Sequence, residues 1–153
     1  MFETRDEQGQ KRTILVAEDE PALAHTIAET LDLQGLETVV VQDGAAALQV
    51  ASRRRPALIL LDVSRPATTG LAVCDRLKAT PETAGIPVVF VTTQGGQTDL
   101  WRDHAAAPVA YLIKPFSPTE LIGVVEKALN GRSIDSIESI EPAPRQTDLA
   151  ALS

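Results

Sequence analysis

Glu18, Asp19 and Asp62 offer three carboxylates, Thr92 a hydroxyl and Lys114 an ammonium, and each of these positions closes a short apolar run. Carboxylates brought together repel one another unless a hard cation sits among them, and oxygen ligands with room for water suit Mg²⁺. An ammonium beside them would pair with a carboxylate or hold a phosphoryl oxygen. The hydroxyl could donate to an oxygen of that same group. A carboxylate in such surroundings can act as nucleophile toward a phosphoryl donor, with the cation and Lys114 neutralising the charge that develops. Phosphoryl transfer to an aspartate is the simplest reaction that uses every part.

These groups lie far apart in sequence, so a fold must gather them. Ile14–Ala17 runs into Glu18-Asp19, Leu58–Leu61 into Asp62, Val88–Val91 into Thr92, and Val109–Ile113 into Lys114. Short apolar runs with β-branched residues read as strands buried on both faces of a parallel sheet. The carboxyl ends of such strands share one edge, where ligands bind. Glu37 to Val41 adds a further strand. Between the strands, helical patterns begin at Pro21, cover Ala45 to Arg53, recur through Leu71, Val73, Cys74 and Leu77, and run weakly over 97–106. Ser117-Pro118-Thr119-Glu120 opens a last helix with a capping box, and Asn130-Gly131 ends it. Five strands alternating with five helices imply right-handed crossovers and an α/β, doubly wound sheet with helices on both faces.

The chain has 153 residues and a formal net charge of −7, with one cysteine. That length suits one domain with a sizeable core. Acidity argues against direct contact with nucleic acid, and the lone Cys74 fits a reducing cytoplasm. No apolar stretch is long enough to span a membrane. Residues 1–11 read as a flexible leader and 12–131 as the domain. The composition of 132–153 points to a disordered acidic tail, or at most a short partner-binding segment. His25 and His104 fall on helices away from the strand ends, and Arg53-Arg54-Arg55 reads as a solvated helix end.

The ordered set of Glu18-Asp19, Asp62 within Leu61-Asp62-Val63-Ser64-Arg65-Pro66, Gly70, Thr92 and Lys114-Pro115-Phe116 resembles the receiver domain of two-component response regulators. The resemblance implies a flavodoxin-like five-stranded sheet of order 2-1-3-4-5 and a cis Lys114–Pro115 bond. It makes Asp62 the phosphoacceptor, served by a histidine kinase or phosphotransfer protein. Mg²⁺ would be held by Asp19, Asp62 and the backbone carbonyl of Ser64, with Glu18 acting largely through water. Lys114 would contact the phosphoryl group, and Thr92 with Tyr111 would form the switch pair. Arg65, Thr93 and Ala107-Pro108-Val109 depart from the commonest pattern without removing a reacting group.

Because about 22 residues follow Gly131, this reading expects a stand-alone, chemotaxis-type regulator that is not an enzyme and signals through a downstream protein target. Two alternatives stand beside it. One is a pseudo-receiver that binds partners without phosphorylation. The other is an aspartate-nucleophile phosphatase, against which Ser64 stands where a second acid is usual.

Overall fold

The computed structural model of the chain describes residues 3–64, 67–93 and 108–131. Five parallel strands form one sheet: β1 (Thr13–Ala17), β2 (Glu37–Val41), β3 (Leu58–Asp62), β4 (Val88–Thr93) and β5 (Ala110–Lys114). Their order is β2-β1-β3-β4-β5. Four described helices connect or follow them: α1 (Pro21–Leu33), α2 (Gly44–Arg54), α3 (Ala67–Ala79) and α4 (Pro118–Leu129). The expected helix over 97–106, the tail 132–153 and the Arg65-Pro66 pair lie outside the described residues. Among the described residues no helix is long and apolar enough to cross a membrane.

Two cores flank the sheet because neighbouring side chains of a strand point to opposite faces. Ile14, Val16, Leu58, Leu60, Val89, Val91 and Leu112 pack with Ile27 and Leu31 of α1 and Leu121, Val124 and Val125 of α4. On the other face Leu15, Ile59, Leu61, Val88, Phe90 and Tyr111 meet Ala47 and Ala51 of α2 and Val73, Cys74 and Leu77 of α3. Phe90 is fully buried.

Local signals set the helix ends. The Asp43 side chain accepts from the Ala46 N–H at 2.9 Å and starts α2. The Ser117–Glu120 capping box starts α4 as expected, with both reciprocal hydrogen bonds formed. Gly35, at φ 93°, supplies the left-handed turn that ends α1.

Two elements depart from the sequence reading. Helix α3 starts at Ala67, ahead of the apolar pattern that begins at Leu71, since Ala67 to Gly70 carry no such pattern. The segment ahead of β1, read as a leader from its composition, doubles back through an antiparallel bridge between Arg5 and Lys11. Asp6 Oδ1 accepts from the N–H groups of Gln8 and Gln10, both at 2.9 Å, the way a short acidic side chain closes a turn.

Candidate functional site

The strand register explains which groups meet. Ala17 sits opposite Leu61, Asp62 opposite Val91, and Thr93 opposite Lys114. Glu18, Asp62 and Lys114 continue the alternation of Val16, Leu60 and Leu112, which face the α1–α4 core. Hydrogen bonds just past the strands hold the edge: the Glu18 N–H donates to the Val41 carbonyl at 2.9 Å and the Val63 N–H to that of Val91 at 2.8 Å. One strand, β4, separates β3 from β5, and the long lysine stem spans it. Lys114 Nζ donates to Asp62 Oδ2 at 2.9 Å and lies 3.6 Å from Glu18 Oε1. The Lys114–Pro115 peptide is cis.

Glu18, Asp19 and Asp62 each bring a carboxylate oxygen within 4.8 Å of the others. Glu18 is buried. Its Oε2 accepts from the Glu20 N–H at 3.1 Å, whereas its buried Oε1 has no hydrogen-bond donor among the described residues. A buried carboxylate oxygen with no donor is costly. A hard cation held among the Glu18, Asp19 and Asp62 carboxylates would remove that cost, so the donor set fits Mg²⁺.

The electrostatics divide the two central carboxyls. Burial, aided by the neighbouring Asp62, pushes Glu18 up from 4.5 to about 7. Burial also pushes Asp62 upward. The Ser64 hydroxyl and N–H and the Lys114 ammonium outweigh it, leaving Asp62 below its ordinary value. Burial works against the charge on Lys114, but the hydrogen bond to Asp62 and the negative charges nearby raise it above its ordinary value. Of the two, Asp62 is the carboxyl whose surroundings favour the charged form.

The Ser64 side chain has a role that sequence reasoning missed. Its N–H and Oγ donate to Asp62 Oδ1 at 2.8 and 2.7 Å. Only its carbonyl figured in the expectations above. The signal was present in the Asp-Val-Ser spacing, which suits an Asx turn closed by a hydroxyl.

Thr92 lies near the end of β4 and Tyr111 within β5. Phe90 pairs with Tyr111 and Thr92 with Ile113, which sets this pair in the alternation of the α2–α3 face. The Tyr111 ring is buried, edge-on to Phe90 at 6.3 Å and 73°. Among the described residues the Thr92 hydroxyl donates only to the Thr93 carbonyl, at 3.5 Å.

A cleft of about 150 Å³ adjoins the cluster, lined by Asp19, Asp43, Gly44, Asp62, Val63 and Gly70 among others. Gly70 is there because nothing larger fits. A Cβ on it would stand 2.4 Å from Val63 Cγ1 and 3.4 Å from Phe90 Cζ. Gly70→Ala should therefore cost about 1–3 kcal/mol through overpacking. Urea unfolding should show a lower midpoint with an unchanged slope, and an unshifted midpoint would mean that Val63 moves aside freely.

Comparison with known proteins decides the family. The profile of the response regulator receiver domain matches residues 14–126. The chain belongs to the response regulator receiver family. This receiver is 31% identical over 141 residues to the DNA-binding response regulator MtrA of Mycolicibacterium smegmatis, a match covering 92% of the chain and 60% of that relative. It is 34% identical over 116 residues to the phosphate regulon transcriptional regulatory protein PhoB of Rhizobium meliloti, covering 76% and 51%. The receiver thus spans about half to three-fifths of the length of these relatives. Among solved structures, it resembles the receiver domain of the sensor histidine kinase PA1611 of Pseudomonas aeruginosa PAO1, which has a magnesium ion coordinated in its active site cleft. That match has a TM-score of 0.68 and 28% identity and covers 78% of this chain and 98% of that one. A signal receiver domain of a histidine kinase from Syntrophus aciditrophicus matches with a TM-score of 0.68 and 32% identity, covering 78% and 91%.

Proposed function

We propose that this receiver is a phosphorylation switch in which Asp62 takes a phosphoryl group from the phosphohistidine of a histidine kinase or phosphotransfer protein. The observation that carries the reading is the 2.9 Å contact of Lys114 Nζ with Asp62 Oδ2 beside the Glu18–Asp19 carboxylates. In the transfer an Asp62 oxygen bonds to phosphorus and the P–N bond breaks. Its electron pair stays on the imidazole nitrogen, which takes up a proton. Lys114 and the Ser64 hydroxyl orient the attacking carboxylate. Bound Mg²⁺, held by Asp19, Asp62 and the Ser64 carbonyl with Glu18 behind them, would supply positive charge for the phosphoryl oxygens. Asp62 is the acceptor, so the protein is modified rather than turning over as an enzyme.

Output would pass through a downstream protein target in the cytoplasm, with Thr92 and Tyr111 relaying the change. Of the named relatives one is a DNA-binding response regulator and the other a transcriptional regulatory protein, but the −7 charge of this chain disfavours contact with nucleic acid phosphates. The test is to incubate the protein with Mg²⁺ and acetyl phosphate and follow intact mass. One added, base-labile phosphoryl group should appear with Mg²⁺ and fail to form when Mg²⁺ is chelated beforehand. Labelling that ignores chelation would overturn the reading.

The raised Glu18 carboxyl adds a pH dependence. Folded Glu18 holds its proton more tightly than an unfolded chain does. Its contribution to stability is therefore present below pH 4.5 and is lost as pH rises through about 7. The cation needs the deprotonated form, so Mg²⁺ affinity should rise about tenfold between pH 6 and 8. Calorimetric titration reads this directly, and a flat profile would remove Glu18 from the metal site.

A further inference from the structure

At the opposite edge of the sheet lies a groove of about 410 Å³ whose lining includes Pro56, Ala57, Ile86, Pro87, Val109 and Leu129. Ala57, Pro87 and Val109 directly precede β3, β4 and β5, so the groove sits at the amino ends of the strands, away from Asp62. Arg12, immediately before β1, and Gly131, just beyond α4, also line it. We propose that residues 133–141 of this same chain cover this groove.

Three observations select that occupant. First, Ser133-Ile134-Asp135, Ser136-Ile137-Glu138 and Ser139-Ile140-Glu141 repeat one tripeptide: serine, isoleucine, acid. A period of three keeps the isoleucines on one edge and the acids on another wherever the chain winds three residues per turn. Second, the segment starts beside the groove. Ile134 is three residues beyond Gly131, a reach of about 10 Å when extended.

Third, charge selects this edge. The strand-end site presents Glu18, Asp19 and Asp62, which repel an acidic segment. At the groove the sign reverses: Arg12 lines it, and Arg53-Arg54-Arg55 lead directly into Pro56. Arg54 is paired with Glu37 at 3.3 Å. Of these arginines Arg12 is the one that lines the groove, where it can face Asp135, Glu138 and Glu141 while also donating to the Glu3 carbonyl at 3.0 Å. Apolar floor, cationic wall and tether all match the isoleucine–acid repeat.

A nitroxide on Ser136→Cys in the full chain tests this. Cys74 is buried and its thiol pushed up to about 12, so the label goes to the new cysteine. The amide signals of Ala57, Gly85 and Val109 should lose most of their intensity, while those of Asp62 and Ser64 keep theirs. Adding Ile134→Ser, Ile137→Ser and Ile140→Ser should restore the intensities. Arg12→Glu should lessen the loss about twofold, the scale of an exposed ion pair. A label on Ser139→Cys should give the same pattern. Uniform intensities would overturn the proposal. So would a loss that appears only between an isotope-labelled chain and a separate spin-labelled chain, because the occupant would then be a second copy.

Discussion

With Asp62→Asn, incubation with Mg²⁺ and a small phosphodonor leaves the mass of the protein unchanged, because the carboxylate that Ser64 and Lys114 orient is gone. The loss should be complete to background, the largest functional effect of any single substitution here. Fold and chemistry separate cleanly in this variant. The amide retains the size of the side chain, and removing one of three clustered carboxylates relieves repulsion with Glu18. The melting temperature should therefore not fall below that of the wild type. The Glu18 carboxyl should also drop from about 7 toward its ordinary value, since Asp62 is among the causes that raise it, although burial still holds it up. Residual labelling in the variant would place the acceptor elsewhere. A large fall in melting temperature would mean that the Lys114–Asp62 pair outweighs the repulsion.

Phe90→Ala should bring the largest loss of stability. The ring is fully buried between the sheet and the α2–α3 layer and carries the edge of Tyr111 at 6.3 Å. Truncating a buried phenylalanine costs about 3–5 kcal/mol, and the lost aromatic contact is about 0.5–1.5 kcal/mol of that order. A domain typically has only about 5–15 kcal/mol in total, so the melting temperature should drop on the order of 10 °C. Denaturant and thermal unfolding measure it. A cost below about 1 kcal/mol would mean that Val63 and Tyr111 collapse into the space. The site should register the change too, because Val63, which shares this core with Phe90, is the neighbour of Asp62 in the chain.

Much of this was legible from the chain alone. The four apolar runs ending in polar groups mark β1, β3, β4 and β5 because a strand buried on both faces must be apolar at every position until it reaches the open edge. Ser117 and Glu120 announced the start of α4 because a capping box is closed by side chains within three residues of one another. The Ala67 start of α3 was hidden, since its first turn has no apolar periodicity. Helix α3 instead presses Gly70 against Val63, a partner set by the fold. The turn at Asp6 was hidden among charged residues that look alike in a solvated leader and in a closed hairpin.

For the site, residue types and strand ends determined on their own that Glu18, Asp19, Asp62, Thr92 and Lys114 belong at one edge of the sheet. Local sequence carries that much because a strand's end and its polarity are local properties. Which of them touch was decided only by tertiary structure. Parity along each strand and register between strands turn Glu18, Asp62 and Lys114 to one face and leave Thr92 and Tyr111 in the alternation of the other. The raised Glu18 and lowered Asp62 are likewise tertiary. A carboxyl's proton affinity depends on its burial and on the donors that reach it. Ser64 reaches Asp62 from two residues away, but the burial and the Lys114 ammonium arrive only when distant strands pack side by side.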